Sequence, residues 1–371
     1  MKIAIVHDFL NQYGGAERVV GFFTGIFNEA PLYTSIFFPH STFDFFSGKD
    51  VKTSFLQNIP GINRHYRKYF FLYPAAFRRF DLEDYDMIIT SSSSFSNFIR
   101  KRPGTVLVSY CYTPARFLWD SARYLDREHI PAAVRGLMKP VIGAMRKMDI
   151  KASREVDCFI TISEYIKAKI KKIYNRESVV IYPPVEIKKY KYNEDKDDFY
   201  LVVSRLKGYK RVDVAVNAFN RLAKKLVIVG SGEDEAHLKK ISGPNIVFKG
   251  RVEDSELLDL YGKARALVFT GEEDFGLTPI EAQASGTPVI AFRGGGALET
   301  IVEGETGFFY DDAEPGSLMG AIGLFEKNDI DPKKCRSNSL RFDITIFTEK
   351  IKDFIGKAYE EGPSGEKQHN K

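Results

Sequence analysis

At 371 residues the chain exceeds one ordinary domain and, at roughly 150 residues each, is expected to hold two compact units. Its 44% hydrophobic and 28% charged residues argue against a disordered or fibrous protein, and a net charge of +5 gives no general nucleic-acid signal. Three well-separated cysteines, Cys111, Cys158 and Cys335, argue against a disulfide framework and a paired-cysteine metal site, and fit a reducing cytoplasm.

The N-terminal stretch MKIAIVHDFL is too short in apolar residues for a signal peptide, and no segment approaches the ~20 apolar residues that span a bilayer. A membrane, if involved, is expected to be met at its surface. The first β run, Ile3 to Val6, leads through the loop NQYGG into an amphipathic helix from Ala16 to about Phe27. Further β runs are read at LYTSIFF, MIIT (87–90), TVLVSY (105–110), CFITI (158–162) and SVVIY (178–182), with helical patterns between several of them. This alternation predicts an α/β chain with a parallel, doubly wound sheet. The run PPVEIKKYKYNEDKDD (183–198) reads as an interdomain connection. Beyond it the alternation restarts with YLVVS (200–204), a helix from Val212 to about Leu222, KLVIVG, a helix from Glu233, NIVFKG, helix SELLDLYGKA, ALVFT, helix PIEAQA and PVIAF. Phe347, Ile351, Phe354 and Ala358 then recur at helical spacing. The expected division is an N-terminal domain over 1–185, a C-terminal domain over 186–345, a last helix over 346–360 and a disordered tail over 361–371. Ligands of such sheets bind beyond the C-terminal ends of the strands, so the chemistry is sought in strand-to-helix loops and in a cleft between the two domains.

In SRLKGYKR, Arg205, Lys207, Lys210 and Arg211 precede a helix N-terminus, a setting for phosphate or simply a solvated basic loop. In IVGSGEDE, Gly230 and Gly232 follow a strand, but Glu235 replaces the third glycine of a dinucleotide fingerprint, which leaves a tight turn. GEEDFGLTPIEAQASG places Glu273 and Glu281 either side of Phe275, Gly276 and Leu277. Thr278, Pro279 and Glu281 fit the N-cap, N1 and N3 positions of a capping box. Capping does not account for Glu273, which with Glu272 and Asp274 can accept the hydroxyls of a polyol or form a solvated acidic loop. RHYRKYFFLYPAAFRR (64–79) interleaves basic and aromatic residues, suiting an anionic membrane interface or a partly buried helix with a basic exposed face. A second basic stretch, 134–154, reads as a helical pattern broken at Pro140, its methionines in the core. No nucleic-acid partner is expected.

EEDFGLTPIEAQASGTPVIA resembles the E-x7-E motif of the family 4 retaining glycosyltransferases, and VHDFLNQYGGAERVV, TPARFLWD, VIYPPV, SRLKGYK and GGGALETI follow in the family's order over nearly the whole chain. Among family branches the chain looks like the mannosyltransferases of surface-polysaccharide, O-antigen-type (lipopolysaccharide) assembly. The resemblance implies the GT-B fold, two Rossmann-like domains facing across a cleft, with a last helix crossing back to the first. It also implies retaining hexosyl transfer, most naturally of mannose from GDP-mannose, to a lipid-linked or oligosaccharide acceptor, with no metal or other cofactor required. By the same resemblance Arg205 and Lys210 bind the donor diphosphate and Glu281 the ribose, while Glu273 faces the transferred sugar. Phe275, Gly276 and Leu277 belong to the donor site, and Gly14 and Gly15 let the backbone approach the donor. Where many relatives carry a histidine, this chain carries Tyr112. His7, Asp8 and Tyr112 are the acceptor-side candidates, with Trp119 and Asp120 read rather as packing and a helix cap. A UDP-hexose donor, or a non-catalytic nucleotide-sugar or glycan-binding subunit, are the alternatives, in a cytoplasmic protein that meets the membrane face through 64–79.

Overall fold

The computed structural model describes residues 1–121 and 132–363, with the side chains of 132–135 and 137 left aside. The expected tail lies outside the described residues from 364 onward, as does the side chain of Arg135, one of the cations of the second basic stretch. The chain divides into two compact units, Met1–Tyr182 with Thr348–Lys371, and Pro183–Phe347.

Among the described residues of the first unit, seven parallel strands are ordered β3-β2-β1-β4-β5-β6-β7. They are β1 Ile3–His7, β2 Leu32–Thr34, β3 Val51–Thr53, β4 Met87–Ser92, β5 Val106–Cys111, β6 Cys158–Thr161 and β7 Val179–Val180. All six residues of β4 and all six of β5 are buried, as parallel strands covered on both faces require. LYTSIFF yields only the three residues of β2, and β3 carries no apolar run at all, since Lys52 and Thr53 are exposed at the sheet edge. The helix Ala132–Glu155 runs through Pro140 rather than breaking there. Helix Glu164–Tyr174 starts on Ser163, whose hydroxyl accepts from Ile166 N at 3.1 Å, and stops at Asn175 in the left-handed region, φ 54°.

The second unit holds six parallel strands ordered β10-β9-β8-β11-β12-β13. They are β8 Tyr200–Val203, β9 Leu226–Val229, β10 Ile246–Gly250, β11 Ala266–Phe269, β12 Val289–Phe292 and β13 Gly307–Tyr310. Alternate residues feed two cores. Tyr200, Val202, Leu226, Ile228, Ala266, Val268 and Ile290 pack on one face, and Leu201, Val227, Val229, Leu267, Val289 and Ala291 on the other. Helix Val212–Leu222 buries Val212, Ala215, Val216 and Phe219, one stripe at helical spacing, into the first of these. In both sheets the strand order reverses between the first strand and its neighbour, β1/β4 and β8/β11, so each has a switch point at its C-terminal edge. The last helix, Ile344–Glu361, buries Phe347, Ile351, Ile355 and Ala358; Phe354 lies half-buried beside the stripe.

Candidate nucleotide-sugar site and a polar network in the first unit

Three loops leave neighbouring strands of the second sheet: Ser204–Arg211 after β8, Thr270–Leu277 after β11 and Arg293–Gly296 after β12. Lys210, 8% exposed, is a near-buried cation that needs a counter-charge, and it pairs with the carboxylate of Glu273, 63 residues away. Its backbone is held too, as the Thr270 hydroxyl donates to Lys210 O at 2.6 Å. Arg205 is exposed, and its guanidinium reaches the Tyr209 hydroxyl at 3.4 Å; Lys207 pairs with Glu233 at 3.1 Å. The fold thus joins Lys210 to Glu273 across the β8/β11 switch point and leaves Arg205 at the rim of the same loop.

The Glu273 loop is fixed from the third loop. Gly296 N donates to Glu273 O at 2.9 Å, and Gly295 at φ +58° lies so close that a Cβ there would stand 2.1 Å from Glu273 O. Only glycine meets both conditions. Phe275 is a core residue, packing edge-on against Phe342 at 5.7 Å, and Gly276 turns the chain at φ +87°. Leu277 accepts from Ile280 N and Glu281 N, both at 3.0 Å, and begins helix Thr278–Ala284 as its cap. The expected capping box is therefore corrected: Thr278 is inside the helix and no side chain caps this end. Glu281, 6% exposed, receives a bond from the Tyr261 hydroxyl at 2.7 Å instead. With Tyr261 wholly buried, the Glu281 carboxylate is the acceptor that its hydroxyl finds in place of water.

In the first unit Gly14 caps helix Gly15–Ile26, and a Cβ on it would meet the Glu17 carboxylate at 2.2 Å. The side chain of Glu17, itself bonded by Gln12 at 2.8 Å, fills the space that the glycine frees. Gly15 is exposed at the helix start. Asp8 is buried and accepts four bonds, from Ser93 N (2.6 Å), Ser93 Oγ (2.9 Å), Phe95 N (2.6 Å) and Ser96 N (2.7 Å). Those bonds make it the organiser of the loop after β4, with little left to offer an acceptor. His7 Nδ1 lies 2.9 Å from Ser91 Oγ and 3.1 Å from Ser91 O, Ser91 Oγ lies 2.8 Å from Tyr112 Oη, and Tyr112 donates to Ala16 O at 3.1 Å. Burial holds the Tyr112 hydroxyl well above its ordinary pKa, so it carries its proton at neutral pH. Trp119 donates to buried Asp149 at 2.6 Å, and Asp120 is the C-cap of Arg116–Trp119.

Sequence reasoning missed Tyr261, Thr270, Ser91 and Glu17. Tyr261, Thr270 and Ser91 act on motif residues from other elements, and nothing in the local pattern marks them, whereas Glu17 lies in the first motif itself, three residues after Gly14. In the segment 64–79, Tyr73 and Phe77 belong to the core, Tyr73 stacking on Phe95 at 4.6 Å, whereas Arg64, Arg67, Lys68 and Phe71 are exposed. No described helix is long and apolar enough to cross a membrane, and among the described residues no group of three or more metal-ligating side chains gathers.

Residues 13–189 match the family model "Glycosyltransferase Family 4" and residues 185–342 match "Glycosyl transferases group 1". An uncharacterized glycosyltransferase of Methanocaldococcus jannaschii is 28% identical over 57% of this chain and 61% of its own length. An α-1,3/1,6-mannosyltransferase of Dictyostelium discoideum is 25% identical over 83% of this chain and 86% of its own. The chain spans only 61% of the first of these relatives. Among solved structures, Anabaena HepE in complex with UDP-glucose superposes with a TM-score of 0.70 at 18% identity, covering 96% of this chain and 100% of that one.

Proposed function

We propose that the chain, which has the GT-B fold, is a glycosyltransferase of the family 4 type and moves a hexosyl group from a nucleotide sugar to a glycan or lipid-linked acceptor. The observation that carries this reading is the Lys210–Glu273 pair at the switch point of the second sheet, with Glu281 held nearby on the helix that follows. A cation at that edge suits a diphosphate, and two carboxylates suit hydroxyls of the ribose and of the sugar.

In the proposed reaction Lys210 and Arg205 offset the charge that builds on the diphosphate as the sugar C1–O bond breaks. The acceptor hydroxyl forms the new C1–O bond on the same face, and its proton passes to the departing phosphate oxygen. Glu273 orients the sugar and balances positive charge at C1. Glu281 holds the ribose, and Phe275, Gly276 and Leu277 shape the donor loop. No metal is assigned a role. The donor we favour is GDP-mannose, supported by the mannosyltransferase relative and the motif resemblance, in surface-glycan assembly at the cytoplasmic membrane face. A UDP-hexose is the second reading, supported by the UDP-glucose complex of the Anabaena neighbour.

A panel of nucleotide sugars, scored for transfer and for donor hydrolysis, tests the proposal. Wild-type protein is expected to use one donor of the panel with retention of the anomeric configuration, and Glu273→Gln to lower kcat by about 10²-fold. No turnover of any donor, together with no thermal shift from any of them, would overturn the reading.

A further inference from the structure

His7 ends β1, and Ser91, its partner across the β1/β4 ladder, stands at the switch point of the first sheet. The hydrogen bonds there determine where the protons sit. Ser91 O, 3.1 Å from His7 Nδ1, can only accept, so Nδ1 must carry a proton. Ala16 O likewise only accepts, which takes the Tyr112 proton. Tyr112 Oη therefore accepts from Ser91 Oγ, and Ser91 Oγ in turn accepts from His7 Nδ1. All four contacts are satisfied in this one direction, and reversing it sets bare Nδ1 against a carbonyl oxygen.

Burial lowers the pKa of His7, outweighing Asp8 and the carbonyls of Ser91 and Phe9, which favour a charged ring. The ring is neutral at pH 7, and with its proton on Nδ1 its other nitrogen is a bare lone pair. His7 is 1% exposed, and no protein group among the described residues forms a hydrogen bond to Nε2. A buried acceptor left without a donor is costly, and native structures leave few of them.

We propose that His7 Nε2 is a hydroxyl-binding acceptor at the C-terminal edge of the first sheet, kept in its bare form by Ser91 and Tyr112. The hydroxyl is one of a sugar of the ligand, an identification that rests on the transferase reading above. His7 then contacts the ligand directly, while Ser91 and Tyr112 are positioning residues that fix the tautomer. The Tyr112 proton is spent on Ala16 O, so Tyr112 is not itself the hydroxyl's partner.

Long-range proton–nitrogen spectra of the full-length chain labelled with 15N-histidine test this directly. The six histidines are separated by assigning His7 from its loss in His7→Gln. The expected result near pH 7.5 is a protonated Nδ1 and a bare Nε2 whose resonance moves upfield on saturation with GDP-mannose, UDP-glucose or α-1,3-mannobiose. Tyr112→Phe removes the acceptor of the Ser91 hydroxyl, and is expected to raise the share of the Nε2–H form and the KM of the responding sugar about tenfold. A wild-type Nε2–H tautomer overturns the proposal, as does an Nε2 resonance that none of the three sugars moves, the mark of a bound water only. Failure of the wild type to turn over any donor overturns the transferase reading instead, and leaves the tautomer assignment standing.

Discussion

Glu273 and Glu281 share a motif but stand in different environments. Glu273 faces a cation, Lys210, from another loop, whereas Glu281 is buried and takes a phenol hydroxyl from helix Asp254–Lys263. The two should therefore fail differently. In the proposed reaction Glu281 holds the ribose, a part of the donor that does not react, so weakening that hold removes binding common to ground and transition states. Tyr261→Phe is expected to raise the donor KM about fivefold to tenfold with kcat unchanged, in contrast to the kcat loss expected for Glu273→Gln. Steady-state titration of donor at saturating acceptor measures both. A fall in kcat at constant KM for Tyr261→Phe would mean that Glu281 serves the reacting centre. Both glutamates stood out in the sequence through their spacing, but Tyr261 did not, because it lies 20 positions before Glu281 with strand β11 and the loop after it between them.

At the scale of elements, one buried carboxylate joins three helices. Asp149, in Ala132–Glu155, accepts from Trp119 Nε1 at 2.6 Å and from the Tyr174 hydroxyl at 2.7 Å, and those two residues end Arg116–Trp119 and Glu164–Tyr174. Arg146, one turn earlier on the long helix, lies over the Trp119 ring at 5.5 Å and donates to Leu118 O at 2.8 Å. Burial raises the Asp149 carboxyl from 3.8 to about 6, against the two bonds, which favour the charged form. Its folded pKa stands above its unfolded one, so the protonated carboxyl contributes stability that is complete below pH ~4 and lost as pH rises through ~6. Asp149→Asn keeps an acceptor for Trp119 and Tyr174 but cannot ionise. The stability difference between wild type and Asp149→Asn is expected to change by about 3 kcal/mol between pH ~4 and ~7, in favour of the variant at the higher pH. Urea midpoints across that range measure it, and a difference that stays constant would show that Asp149 does not titrate there. This clamp was invisible in the sequence, where TPARFLWD was recognisable but its partner lay 30 residues on in a helix read only as basic.

For the molecule as a whole, the segment 64–79 divides between core and surface. Tyr73 and Phe77 are buried, while Arg64, Arg67, Lys68 and a 56%-exposed Phe71 face solvent. Cations worth about 1 kcal/mol each near an anionic bilayer, beside one exposed ring, support binding to a membrane surface rather than insertion. The full-length chain is expected to co-sediment with phosphatidylglycerol vesicles at low salt and to be released as salt rises. Arg64→Glu with Lys68→Glu is expected to weaken binding at least tenfold, while vesicles of phosphatidylcholine alone bind neither form. Equal binding to both lipids would remove electrostatics from the account.

The sequence by itself determined the α/β class, the two units and most of the strands in chain order, β3 and β13 aside. A strand covered on both faces must be apolar throughout, and a helix on a sheet must repeat its apolar residues every three or four positions. Both patterns are local, and so are motifs such as the Glu273–Glu281 spacing. The sequence could not disclose β3, whose exposed edge residues carry no pattern, nor that Leu277 rather than Thr278 caps the helix after the motif. Only the tertiary structure decided that Lys210 meets Glu273, that Tyr261 holds Glu281, and that Ser91 and Tyr112 set the proton on His7. Each of these joins residues distant in the chain, and a hydrogen bond or ion pair depends on the position of both partners to within an ångström, which spacing along a sequence does not contain.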